Sequence, residues 1–295
     1  MTEGPGGALK PPVWTWEVPA YFFVGGTAGA AALIGAVAGC RGRHESLVRD
    51  ARWIAAAGAA LSPPLLISDL GRPERFLNML RVFKLRSPMS VGAWTLVAFS
   101  TAATASAFAD LASRATNGRL PVTTVADASG ALAAATGVVL STYTGVLLGA
   151  TAIPVWSRNA ALLPLHFGAS GLGSAVSMLE LLGHHDRALN AIGIGTALAE
   201  TALAAHLETR ADPAMLAIRR GGAGRLAAAA SVLSGPLPLL LRLLGSRSPA
   251  ARRAAAVSTM TGSILTRAAW LAAGKVPVGP GHAIATNSRT DGPPS

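Results

Sequence analysis

The chain has 295 residues, 51% of them hydrophobic and 13% charged, with a mean hydropathy of +0.45. Soluble globular chains carry about 25% charge, so the composition excludes an ordinary soluble enzyme and describes a membrane protein. The net charge of +11 rests on few charges in total and aromatics make up only 5%, a pattern of basic loops beside lipid headgroups and not of a nucleic-acid surface.

Residues 1–13 form a polar tail with no cationic stretch ahead of a short apolar core, so no cleavable signal peptide is expected. Eight segments then approach the length of about 20 apolar residues that a bilayer core demands. They cover 18–39, 52–70, 92–111, 128–150, 160–182, 188–206, 225–244 and 254–273. Backbone groups in lipid must pair within their own segment. The chain therefore reads as an all-α membrane protein, a bundle of about eight transmembrane helices spanning 14–274. "GGTAGAAALIGAVAG" and "GASGLGSAV" set small residues at helical spacing, which lets helix backbones approach closely. Gly235, Pro236 and Pro238 should bend or break the seventh segment. The tail 275–295 is rich in Pro, Gly, Ser and Asn and reads as disordered.

An even number of spans puts both termini on one surface, here called side A; the opposite surface is side B. Lys and Arg other than Arg267 divide 13 to side A and 11 to side B, Arg242 among the latter, an imbalance too small to orient the chain. The single cysteine, Cys40, cannot hold an iron–sulfur cluster or a structural zinc. Any metal centre that handles electrons then belongs to a partner.

Ionisable groups inside a span are costly and are candidate functional groups for that reason. Glu17 opens the first span and Asp69 closes the second. Tyr143 lies late in the fourth, His166 early in the fifth, and Glu200 and His206 late in the sixth. All six fall in the side A half. Arg72 follows Asp69 by one helical turn. A carboxylate, a phenol and an imidazole near one membrane surface suit a quinone head group, whose carbonyls accept hydrogen bonds and whose reduction takes up two protons. A structural reading stands beside each residue. Asp69 can pair with Arg72 or Arg75 to hold the loop, Glu17 can be a helix-start acid, and His166 can be a packing residue. Tyr143, like Trp14, Trp16 and Trp156, can be an interfacial aromatic.

His166, Ser170, Gly173, Ser177, Glu180 and His184 share one face of the fifth helix. With Glu200 they suggest either a proton path across the membrane or a small-residue packing seam.

Four stretches are distinctive: "WEVPAYFFVGGTAGA", "DLGRPERFLNMLRVFKLRSPMSVGAW", "YTGVLLGATAIPVWSRNAALLPLHFGASGLGSA" and "TGSILTRAAWLAAGK". Together they resemble the NrfD/PsrC family, the integral membrane subunits of polysulfide-reductase-like respiratory complexes. The resemblance implies a subunit without haem or iron–sulfur cluster of its own. It implies a ferredoxin-like iron–sulfur partner at the membrane face, often with a molybdopterin catalytic subunit beyond, and electron exchange with menaquinone or ubiquinone. By the same resemblance the quinone site falls on Glu17, Asp69 and Tyr143, to which the side A reading adds His166 and Arg72. Arg75, Arg81, Lys84 and Arg86 become a basic surface for an acidic partner; the other reading of that loop is contact with anionic headgroups. The Ala-, Gly- and Arg-rich composition points to a high-GC bacterium, and so to a bacterial cytoplasmic membrane.

Three other classes remain open at this point. A haem-binding subunit needs paired axial histidines, for which only His166 and His206 are placed. A redox-linked proton or ion translocator would use Glu180 and Glu200. A non-redox anchor would keep the fold with a degenerate quinone site.

Overall fold

The computed structural model describes residues 14–42, 45–70, 73–116, 122–210, 212, 215–219, 221–245 and 248–275. The tails at 1–13 and 276–295, and Arg72, lie outside the described residues. The described chain folds into twelve helices: α1 (Glu17–Cys40), α2 (Glu45–Leu70), α3 (Pro73–Met79), α4 (Pro88–Ala115), α5 (Thr123–Gly149), α6 (Pro154–Ser157), α7 (Leu162–Leu181), α8 (Arg187–Thr209), α9 (Leu216–Arg219), α10 (Gly221–Ser234), α11 (Pro236–Leu244) and α12 (Pro249–Gly274). Among the described residues there is no strand.

Among the described residues, seven stretches are long and apolar enough to cross a membrane: α1, α2, α4, α5, α7, α8 and the composite Gly221–Leu244. The protein is an all-α membrane bundle. The expected eighth span corresponds to α12, a helix of 26 residues. It falls outside the apolar set because its apolar stretch carries Arg267, which has no exposed surface, among several Ser and Thr residues. The expected break in the seventh span is present: α10 ends at Ser234, Gly235 leaves helical geometry, and α11 starts on Pro236.

Local sequence sets several helix ends. Ser87 and Ser248 each precede a proline, accept a hydrogen bond from the amide three residues on, and so cap α4 and α12. Arg219 places Nη2 2.6–2.7 Å from the carbonyls of Leu207, Glu208 and Arg210, satisfying the open end of α8. Pro63 and Pro64 lie inside α2. The missing N–H of Pro63 frees the carbonyl of Ala59, and the Ser100 hydroxyl of α4 donates to it at 3.3 Å.

The hub of the bundle is α1, which packs on α2, α5, α7 and α12. Small residues permit these crossings. A Cβ on Gly29 would lie 2.3 Å from the carbonyl oxygen of Gly137 on α5, and one on Gly171 of α7 would lie 2.9 Å from that of Gly26. Gly29→Val is therefore expected to destabilise the bundle by about 1–3 kcal/mol or more. Thermal unfolding in detergent reads this out, and an unchanged midpoint would contradict the close α1–α5 crossing.

Side B is tied by charge. Arg52 of α2 donates to Asp110 of α4 at 2.8 Å and to Asp127 of α5 at 2.6 Å, and Arg114 donates to Asp110 at 2.9 Å. His184, after α7, meets Asp50 of α2 at 2.8 Å.

Candidate functional site

At side A the first turns of α1, the last turns of α2, the end of α3, the start of α4 and the end of α5 surround a narrow groove of about 60 Å³, partly open to the outside. Its walls are mainly apolar, with Val18, Phe22, Leu65, Leu66, Met79 and Leu147 among them. Three acidic or phenolic residues are among those that line this space: Asp69, Tyr21 and Tyr143. The chain contains two tyrosines in all, and both are here, near enough to act on each other electrostatically. Trp14 forms part of the rim and stacks on Trp156 with ring centroids 5.4 Å apart.

Each polar group is positioned by its neighbours. Asp69 is half-buried, faces the backbone amide of Thr15, and lies within electrostatic reach of Glu17. The Thr15 hydroxyl donates to Glu17, so one short stretch ahead of α1 engages both acids. Tyr143 donates its hydroxyl to the carbonyl of Pro88, the first residue of α4. Its ring fits because Gly92 has no side chain: a Cβ there would lie 2.1 Å from Tyr143 Cζ. Gly92→Ala should displace the Tyr143 ring while keeping its hydroxyl, and the expected readout is a changed environment of the two tyrosines by ultraviolet resonance Raman. An unaltered spectrum would show that the ring is not seated against α4.

The groove opens beside the basic loop. Arg81, Lys84 and Arg86 are all exposed, and Val82, Phe83 and Leu85 beside them expose more than half of their surface. Ser90 pins this loop to α4 by accepting from the Lys84 amide at 3.0 Å and donating to the Val82 carbonyl at 3.2 Å. Arg75 lies in α3, and its side chain, like Arg72, falls outside what is described.

The polysulphide reductase NrfD family matches residues 7–187, more than half of the chain. The chain belongs to the NrfD family. No curated protein matches it. Membership makes this NrfD chain a multi-pass membrane subunit of a respiratory oxidoreductase complex, of a kind that pairs with iron–sulfur and catalytic subunits. Glu17, Asp69 and Tyr143 lie within the matched stretch, whereas Glu200, Arg242 and Arg267 lie beyond it.

The structure separates His166 from the groove of this NrfD protein. His166 is buried and places Nε2 3.0 Å from Glu200 Oε2. Trp270 Nε1 donates to His166 Nδ1 at 3.3 Å. An indole N–H can only donate, so Nδ1 is the acceptor and Nε2 carries the proton toward Glu200. Ser234, at the helix break, donates to the same Glu200 oxygen at 2.9 Å, and Oε1 has no partner. His166 and Trp270 border a second cavity between α8, α10 and α12, on the far side of α7 from the groove helices.

The remaining members of the polar stripe do not form an open channel. Ser170 donates to Ser263 at 2.7 Å, and Ser177 donates to the carbonyl of Gly173 in its own helix at 2.8 Å. Glu180 is held by Arg242 through two bonds of 2.8 and 2.7 Å, and both side chains are 1% exposed. Arg242, placed on side B by sequence, is thus a core residue. Trp156, read as an interfacial anchor, is also buried and donates Nε1 to the Trp270 carbonyl at 2.8 Å.

Sequence reasoning omits Tyr21 and Arg267. Both left a signal. Tyr21 follows Glu17 by four residues and so shares its helix face. Arg267 is a charge inside an otherwise apolar run, the same feature that singled out Glu200.

Proposed function

We propose that this chain is the quinone-reactive subunit of its complex. It would exchange electrons between a ferredoxin-like iron–sulfur partner docked at side A and a menaquinone or ubiquinone in the side A groove, with a molybdopterin catalytic subunit beyond the partner. The observation that carries this reading is the convergence of Asp69, Tyr21 and Tyr143 on one apolar groove directly beside an exposed basic loop.

The groove's chemistry fits such a ligand. As in small-molecule sites, few polar groups stand in a largely apolar lining. Tyrosine hydroxyls can hydrogen-bond ring carbonyls, while the apolar walls and the adjoining lipid accept an isoprenoid tail. Quinone reduction joins two electrons and two protons to the ring oxygens; the partner supplies the electrons. Asp69, half-buried near the surface, is placed to pass protons between water and the groove. Glu17, beside Asp69, adds a second acid on that route. The exposed mixture of Arg81, Lys84, Arg86 and neighbouring apolar side chains supports docking of an acidic partner, which such charges would steer. A bacterial cytoplasmic membrane is the setting this function fits.

Gly92→Leu tests the site. The new side chain drives into the Tyr143 ring and fills the groove. In membranes holding the chain with its iron–sulfur partner, quinol-dependent reduction of that partner should fall at least tenfold while the partner stays bound. Normal turnover in this variant would remove the groove from consideration.

A further inference from the structure

We infer that Arg267 makes the groove favour a negatively charged ring ligand over its neutral counterpart. The inference rests on the proposed function of the groove and adds a specificity-determining residue outside its lining.

Arg267 lies in α12 with no exposed surface. Its Nη1 donates to the Ser170 hydroxyl at 3.0 Å and to the Ser263 carbonyl at 2.9 Å, and its Nη2 reaches the Phe167 carbonyl at 3.4 Å. All of these acceptors are neutral, and Nε has no partner. No ion pair engages it among the described residues. A guanidinium retains its proton in proteins, so this is a fixed positive charge in a low-dielectric setting, where screening is weak.

The charge is directed toward the groove. The guanidinium lies over the Phe167 ring at 5.3 Å and the Phe23 ring at 5.8 Å. Phe167 packs on Phe22 with centroids 6.0 Å apart, and Phe22 lines the groove. A Cβ on Gly26 of α1 would come within 3.0 Å of Nη2. One aromatic layer therefore separates the cation from the groove wall. The buried anion within electrostatic reach of Arg267, Glu200, is held by His166 of α7 and Ser234 of α10. Cation and anion thus form a fixed dipole with its positive end toward α1.

The groove needs such a charge. No Lys, Arg or His is found among the described residues that line it. Each electron that arrives from the iron–sulfur partner ahead of its proton leaves negative charge on the ring oxygens, near Asp69. Arg267 offsets that charge from behind the aromatic layer without occupying ligand space.

The test compares two naphthoquinones with the same alkyl tail: a neutral one, and a 2-hydroxy one that is ionised at neutral pH. Their affinities are measured by competition on the full chain in its membrane complex. Arg267→Gln should reduce the preference for the anionic ligand about tenfold, as expected for a unit charge acting at about 12 Å through an effective dielectric near 20. Arg267→Lys should retain the preference. Glu200→Gln, which removes the opposing charge, should raise it about two- to threefold; Arg267→Met, which also removes the cation, decides the matter if Arg267→Gln does not fold. An affinity ratio that stays constant in the variants that bind both ligands overturns the inference and leaves the groove assignment intact. Failure of the neutral naphthoquinone to bind the wild-type protein instead overturns the groove assignment itself.

Discussion

Asp69→Asn is expected to lower quinone turnover by about 100-fold or more, in the range found when a positioned acid or base is removed. The amide keeps the shape of the side chain and can still meet the Thr15 backbone, but it cannot take up or release a proton. Tyr143→Phe should have a smaller effect, about tenfold, because it removes one hydroxyl and its bond to the Pro88 carbonyl while keeping the ring. Tyr21→Phe should resemble Tyr143→Phe, since the two residues line the same groove. The assay is quinol-dependent reduction of the iron–sulfur partner in membranes, with partner retention checked in the same samples. Retention with turnover lost places the chemistry at the groove. Full turnover in the Asp69 and Tyr143 variants would make Asp69 a loop-holding acid and bring forward the reading of the chain as an anchor.

Arg242→Ala is expected to cause the largest loss of stability, about 3–5 kcal/mol, because it strands the Glu180 carboxylate in the core. Arg242 and Glu180 are each 1% exposed and meet through two bonds, so neither charge has water to fall back on. The site is also tight: a Cβ on Gly193 of α8 would lie 2.4 Å from Arg242 Cζ. Glu180→Leu combined with Arg242→Met removes both charges while filling the space, and should recover most of the loss, as apolar replacements of buried ion pairs do. Wild type, Glu180→Leu, Arg242→Met and the double variant form a double-mutant cycle read, beside Arg242→Ala, by thermal unfolding in detergent. A wild-type midpoint for Arg242→Ala would mean that the pair is not buried. The pairing also bears on proton transfer. Both oxygens of Glu180 are occupied by a cation, whereas Glu200 keeps one oxygen without a partner.

Much of the architecture was legible in the chain. Apolar runs near bilayer length announced the helices, because lipid offers no alternative partner for backbone groups. The Gly235–Pro236 break and the Ser–Pro caps of α4 and α12 followed from local stereochemistry. Alternation of spans across the membrane was enough to place Glu17, Asp69 and Tyr143 on one side. Tertiary structure decided which of the side A groups share a space. Tyr21 and Tyr143 converge because α1 and α5 cross closely through Gly29 and Gly137, a contact between residues more than a hundred positions apart. His166 is turned away from that groove by Trp270 and Glu200, whose approach depends on how α8 and α12 pack around α7. Arg242 looked like a loop cation because sequence gives depth only to within a few residues; its partner, Glu180, draws it into the core. Hydropathy is a property of one segment and survives without its neighbours. A charge's partner, and therefore its function, exists only once several segments have met.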